Sequence, residues 1–149
     1  MKQTKHSFLK SNGYYSVSLT KTETNHYLIV AFVNNIKGLF ILDTGASNSC
    51  LDLSQSKKFE LILEKSKIKA SSATDLMEET KISKKNTLQI GKWVNKFSSL
   101  VLFDLDHINT ALNERKVKKV DGIIGADTLK KSKAIIDYGT NKLYLKIKI

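Results

Sequence analysis

Apolar and polar residues alternate along "YYSVSLT" (Tyr14 to Thr20), the period-two pattern of a half-buried strand. A polar break from Lys21 to Asn25 separates it from "HYLIVAFV" (His26 to Val33), a buried run rich in β-forming residues. "NNIKG" (Asn34 to Gly38) reads as a hairpin turn in which Gly38 supplies the unusual backbone angles. "LFIL" (Leu39 to Leu42) then carries the chain up to Asp43. The lysine-rich stretch from Ser54 to Lys69 predicts no definite element, and "ASSATD" (Ala70 to Asp75) fits the tip of a hairpin. "TLQIGKW" (Thr87 to Trp93) and "FSSLVLFDL" (Phe97 to Leu105) read as further strands.

The period changes at "DHINTALNERK" (Asp106 to Lys116), where Ile108, Leu112 and Arg115 recur at helical spacing. A second short helix is expected after "DGIIGAD", through Thr128 to Lys131. "AIIDYGTNKLYLKIKI" (Ala134 to Ile149) predicts two strands joined by a turn at Tyr138 to Asn141. There is no repeat, no low-complexity linker and no shift of composition that would divide the chain. Many short strands with one or two short helices predict a mainly β fold, a closed barrel or folded sheet.

Composition narrows the partners. The 149 residues suit one domain, and at 41% hydrophobic they can bury a core. The formal net charge is +11, and every basic residue except Arg115 is lysine. Readers of nucleic acid lean on arginine for bidentate base contacts, so nucleic acid is not expected as a partner and the lysines read as a solvated surface. Cys50 is the one cysteine, so no intramolecular disulfide forms, which suits a reducing compartment. "MKQTKHSFLKSNGYY" holds no apolar stretch of signal-peptide length, and no segment approaches the ~20 apolar residues of a membrane span. The expectation is a cytoplasmic protein with no membrane association.

The candidate chemistry lies in "FILDTGAS" (Phe40 to Ser47). A strand of core residues ends on a carboxylate, and an unpaired charge in such a setting is costly unless it is hydrogen-bonded or functional. Gly45 lets the backbone turn tightly and bring its N–H toward the carboxylate. Thr44 carries a hydroxyl that both donates and accepts. Small residues at Gly45, Ala46 and Ser47 leave room for a second backbone. An Asp-Thr-Gly tripeptide alone is a weak signal and reads first as an ordinary turn at a strand end. Its setting adds weight: Phe40, Ile41 and Leu42 precede it, and "VDGIIGADTL" follows about eighty residues on, with Ile123 and Ile124 before Gly125.

On these segments the chain resembles the retropepsin-type (retroviral-like) aspartic proteases, in particular the short bacterial members of that clan. "HYLIVAFVNNIKGLFILDTGASNSCLD" is similar to the family's first hairpin and active-site loop, "DGIIGADTL" to its apolar-apolar-glycine segment with the helix after it, and "AIIDYGTNKLYLK" to the terminal hairpin of the bacterial members. The resemblance implies a retropepsin-like β-barrel over residues 26–149, preceded by an N-terminal segment, 1–25, with a first strand. It implies that Asp43 is the catalytic aspartate, that Thr44 makes a cross-subunit hydrogen bond bracing two active-site loops, and that Gly45 presents backbone to the substrate. Ile124 and Gly125 would pack beneath the loop. Ala46 matches retroviral enzymes, where pepsin-like ones have serine, and implies activity at milder pH than pepsin. A candidate flap, "IKASSATDLMEETKI", would carry Ala70, Ser71, Ser72 and Ala73 near its tip, and unlike the retroviral flap it has no glycine. Ser47 and Ala126 stand where retroviral enzymes often have an acidic residue and an arginine, so a dimer would be braced differently.

Hydrolysis of an amide needs one carboxylate to take a proton from water and another to give one. A lone exposed aspartate, with a pKa of about 3.9, has no proton to give at neutral pH. Two carboxylates sharing one proton do, because like charges a few ångströms apart cannot both ionise. This chain has a single Asp-Thr-Gly and about half the length of pepsin-type enzymes. "DTL" at Asp127 lacks the glycine and opens a helix. The second carboxylate is therefore expected from a second copy, in a homodimer acting on a protein or peptide. The alternative is a non-catalytic peptide-binding or dimerisation module on the same fold.

Other polar residues read as structural. Cys50 has no histidine partner in a recognisable pattern and reads as a small buried side chain. His6, His26 and His107 have no metal-ligand spacing, so no metal and no cofactor is expected. Asp104 or Asp106 suits an N-cap, Asp137 and Tyr138 the terminal turn, and Trp93 the core or its rim.

Overall fold

The computed structural model describes residues 2–65 and 80–147 and begins with an element that the hydrophobic pattern does not announce, helix α1 (Lys5–Ser11). It buries only Leu9, too little to leave a period in the sequence. It is held by a capping box: Ser7 N donates to Thr4 Oγ1 at 3.0 Å and Thr4 N to Ser7 Oγ at 2.9 Å. The stretch read as one strand from Tyr14 is two, β1 (Tyr14–Ser18) and β2 (Thr20–Lys21), which lie in different sheets. Leu19 marks the switch, buried, with its N–H donated to Asn141 O at 2.8 Å.

Strands β3 (Tyr27–Val33) and β4 (Ile36–Leu42) form the first hairpin. Its two-residue turn is made by Asn34 and Asn35, with φ of 51° and 67°, the double left-handed geometry that matches strand twist. Gly38 does not supply these angles. It lies within β4, where a Cβ would come within 2.8 Å of the Phe40 ring and 2.9 Å of the Phe59 ring. Its missing side chain makes room for two buried aromatics.

The chain continues through β5 (Cys50–Asp52), a 3-10 turn (Leu53–Gln55) and β6 (Glu64–Lys65) to the long hairpin of β7 (Lys81–Ile90) and β8 (Trp93–Phe103). "TLQIGKW" is thus not one strand but the end of β7, a turn at Gly91 (φ 56°) and Lys92, and the start of β8. Trp93 joins the core. Helix α2 (Asp106–Glu114) follows, its first N–H, from Asp106, donated to Asp104 Oδ1 at 2.8 Å. It stops short of Lys116, which takes a left-handed φ of 58°. Then come β9 (Gly122–Ile124), α3 (Ala126–Lys131), β10 (Ile135–Asp137) and β11 (Lys142–Lys146). The described residues thus hold three α-helices where the sequence indicated two.

Strands pair in the order β3-β4-β9-β5-β8-β7, and β7 pairs back to β3 through Phe32↔Gln89 and Val33↔Leu88, closing a six-stranded barrel. β2 and β6 are added at its margins, and β1-β11-β10 form a separate small sheet. Ile29, Ala31, Val33, Phe40, Leu51 and Leu102 point into the barrel, while Leu28, Ile41, Val101 and Ile123 meet Leu112 and Val120 under α2. β9 and the end of the β3–β4 hairpin beside it (Leu28 and Ile41) are therefore covered on both faces, which is why their sequences read as continuous apolar runs, while Val30 farther along β3 stays exposed. Each fully buried aliphatic or Phe side chain contributes roughly 1.5–3 kcal/mol, so this double layer is the main source of stability. β9 occupies the slot between β4 and β5, parallel to one and antiparallel to the other. The segment linking β4 to β5, residues 43–49, must then arch over the end of β9. Among the described residues no helix is long and apolar enough to cross a membrane.

Candidate active site

Asp43 follows β4 directly and extends its parallel pairing with β9 by one step, donating its N–H to Ile124 O at 3.0 Å. The chain then turns. Gly45 N donates to Asp43 Oδ1 at 2.9 Å, and Ala46 N donates to Asp43 O at 3.2 Å. One carboxylate oxygen is thereby fixed against the backbone, while Asp43 itself stays exposed. A Cβ on residue 45 would sit 3.3 Å from Asp43 Oδ1, so a side chain there would crowd the carboxylate.

The loop is clamped from below. Ala126 N donates to Ala46 O at 2.7 Å. Gly125 lies so close that an added Cβ would meet Ala46 O at 2.7 Å and Asn48 O at 2.9 Å, both backbone atoms that cannot swing aside. Ile124 is buried in the barrel. Of the group Asp43, Thr44, Gly45, Ala46, Ile124 and Gly125 expected from the sequence, the structure brings Asp43, Gly45, Ala46, Ile124 and Gly125 into contact, with Thr44 exposed on the same loop.

A second layer was not legible in advance. Ser49 is fully buried and donates both its N–H and its hydroxyl to Asp127 Oδ1, each at 2.8 Å. Its oxygen accepts from Gly125 N at 2.9 Å and lies 2.7 Å from Thr128 Oγ1. The one Ser49 proton is directed at Asp127, so Thr128 is the donor in that last pair. Asp127 opens α3, as its sequence suggested, but it also accepts from Thr128 N at 2.8 Å and joins the helix to the loop. The only signal was a polar residue, Ser49, in the approach to an apolar strand, and an acid in the first turn of a short helix.

Thr44 is exposed, and among the described residues its hydroxyl has no partner. It stands between two hollows. One, of about 340 Å³, holds Asp43 with His26, Tyr27 and Tyr138, whose rings (Tyr27 and Tyr138) pack 5.3 Å apart. The other, of about 360 Å³, is apolar along Leu129, Ala134 and Ile136. His26 and Tyr138 were not expected beside Asp43; they arrive from residues distant in sequence. Ala70, Ser71, Ser72 and Ala73 lie outside the described residues.

Cys50 is buried, and that burial pushes its thiol up to about 12, so it carries no thiolate at neutral pH. Among the described residues no cluster of three or more His, Cys, Asp or Glu side chains could hold a metal ion.

An aspartyl protease family model matches residues 29–128, two thirds of the chain, with the whole of the loop and its clamp and all but the first two residues of the six-stranded barrel. The chain belongs to the aspartyl protease family. No curated protein matches it. Among solved structures it is similar to a retropepsin-like aspartic protease from Rickettsia conorii, with 21% identity, coverage of 89% of this chain and 90% of the other, and a TM-score of 0.58. It is also similar to EIAV protease in complex with an inhibitor, at 16% identity, 79% and 98% coverage and a TM-score of 0.59. The retroviral protease-like domain of Ddi1 from Leishmania major matches at 14% identity, 79% and 86% coverage and a TM-score of 0.52. At these identities the likeness is one of fold. This aspartyl protease family member has a retropepsin-like barrel, and family and fold together support a protease function.

Proposed function

We propose that the chain is an aspartic endopeptidase that works as a homodimer, its water activated between two Asp43 carboxylates. The observation that carries this reading is the presentation of Asp43: exposed at the start of a clamped loop, one oxygen held by Gly45 N–H, in a chain with a single Asp-Thr-Gly. Thr44, exposed and without a partner in the described chain, is the residue that would brace the two loops against each other. The apolar hollow along Leu129, Ala134 and Ile136 beside it is surface that a second copy would cover.

In the reaction one carboxylate is protonated and the other ionised, since two such groups in contact share a proton. The ionised Asp43 takes a proton from the water as the water oxygen bonds to the scissile carbonyl carbon and the carbonyl π bond opens, while the protonated mate gives its proton to the carbonyl oxygen. The C–N bond then breaks as the nitrogen takes the proton from the Asp43 that received it from water, and a diol hydroxyl gives its proton to the ionised mate. One proton is again shared between the pair. Gly45 N–H holds one oxygen throughout, which fixes the carboxylate plane and lowers the reorganisation required.

Asp43→Asn is the test, with wild type and variant incubated with a peptide library at pH values from about 4 to 7, a span that brackets the usual range of shared carboxylate protons. Cleavage by the wild type alone, with unchanged melting temperature in the variant, supports the reading. Equal cleavage by both removes Asp43 from the mechanism. A binding or dimerisation module is the second reading, favoured by the lack of glycine across residues 68–82; binding of the library without cleavage by either protein would select it.

A further inference from the structure

A larger hollow lies away from Asp43. It measures about 770 Å³, within the ~300–1,000 Å³ typical of small-ligand sites, and is a groove between edge strand β2 and the residues that follow α2. Its floor is apolar: Leu28 and Val30 on β3, Leu39 on β4, and Val117. Val30 pairs with Leu39 on the outer face of the sheet and stays 42% exposed, because α2 covers only the far end of that face.

The rim is basic. Lys21 and Lys37 stand on the strand side; Arg115, Lys116 and Lys118 stand opposite. Among the described residues none of these five pairs with a carboxylate. Two acids line the groove, and Asp121 is already engaged, accepting from Leu39 N at 2.9 Å and from Lys58 Nζ at 3.1 Å. That leaves Glu23 against five cations. The chain's one arginine is among them, with the planar fork that holds carboxylates in bidentate fashion.

We propose that this groove binds an extended acidic peptide segment whose alternate side chains are apolar. Carboxylates meet the rim and apolar side chains cover Val30 and Leu39. A nucleic-acid strand fits less well. None of the lining residues is aromatic, so no base can stack, and Glu23 opposes phosphate. The groove and the proposed catalytic loop share strand β4: Leu39 and Asp43 are four residues apart, about 13 Å of extended chain. Binding here does not depend on catalysis.

The test uses the full Asp43→Asn chain, so that a probe survives, and fluorescence anisotropy with a labelled peptide of alternating Glu and Leu. The Glu/Leu peptide is expected to bind about tenfold or more tighter than a Gln/Leu version, the scale of one to two well-formed charged contacts. Lys37→Glu/Arg115→Glu/Lys118→Glu should remove that advantage, and Lys84→Glu/Lys85→Glu/Lys92→Glu, outside the groove, should retain it. Val30→Cys carrying an environment-sensitive dye gives a second readout that needs no charge reversal, because Cys50 is buried and unreactive. Its emission should shift on adding the Glu/Leu peptide. Equal loss in both triple variants, an unchanged dye spectrum, or tighter binding by an oligothymidine strand that the groove variant abolishes would each overturn the proposal. If the wild type cleaves nothing while the groove binds, the protease reading falls and this one stands.

Discussion

Ser49 and Asp127 are joined twice: the backbone N–H and the hydroxyl of Ser49 both reach the same carboxylate oxygen, at 2.8 Å each. The pair ties the end of the Asp43 loop to the first turn of α3, and Ser49 passes the connection on to Gly125 N. Ser49→Ala is expected to leave Gly125 N–H and the Thr128 hydroxyl buried without their shared partner. Unsatisfied buried groups cost about 1–3 kcal/mol each, so the loss for the two should be roughly 2–6 kcal/mol. Urea unfolding of both proteins measures it. A change below about 0.5 kcal/mol, the scale of an ordinary surface substitution, would mean that the loop is held elsewhere.

Gly125→Ala is a sharper test of the clamp. The new methyl would overlap two backbone oxygens, at 2.7 and 2.9 Å, and neither can rotate out of the way. Relief requires the 46–48 backbone to lift from β9, which would displace Asp43 as well. Overpacking of this kind costs about 1–3 kcal/mol. The expected outcome is a lower melting temperature together with a larger fall in peptide cleavage than stability alone explains, since a displacement of about 1 Å can cost about a hundredfold in rate. Wild-type cleavage by a folded Gly125→Ala chain would separate the clamp from the chemistry.

The barrel and the loop were legible because strands buried on both faces leave unbroken apolar runs, and Asp43 interrupts one of them. What escaped notice has a common cause. Asn34, Ser49 and Thr128 act through hydrogen bonds to residues far along the chain, and a polar residue in a turn or helix looks the same whether or not it has such a partner. α1 escaped because its capping box, rather than a hydrophobic stripe, marks it. Gly38 misled in the opposite sense: a glycine near a turn suggests backbone freedom, yet this one is needed for lack of volume.

Asn34 does two tasks at once, and substitution can separate them. Its side chain accepts from Thr87 N at 3.0 Å and donates to Phe59 O at 2.8 Å and Asn86 Oδ1 at 3.0 Å, joining the first hairpin to β7 and to the Phe59 segment. Asn34→Gly keeps the left-handed backbone and removes those bonds, and should cost about 2–3 kcal/mol. Asn35 carries the same left-handed turn geometry while exposed, with φ 67°. Asn35→Gly should be neutral or stabilising by a few tenths of a kcal/mol, since Asn-Gly is the favoured sequence for this turn. Thermal melts of the two variants should therefore move in different directions; parallel losses would place the cost in the turn rather than in the bridge.

Asp137 ends β10 and is held well below the ordinary carboxylate value of 3.8, at about 2. The first cause is the side-chain hydrogen bond from Lys5 of α1, followed by those from Thr140 Oγ1 and Gly139 N. A folded-state value below the unfolded one means that folding favours the ionised form. Its contribution to stability is complete above about pH 4 and is lost as pH falls through about 2. Lys5→Met removes the first cause and leaves the turn contacts in place. The expected result is a smaller loss of melting temperature between pH 4 and pH 2 than in the wild type, with Asp137→Asn flatter still. Because Lys5 is largely exposed, the effect should shrink when the series is repeated in about 0.5 M salt, where charges more than a few ångströms apart are screened. An unchanged acid limb in Lys5→Met would show that the Lys5 contact is not what keeps the Asp137 carboxylate ionised.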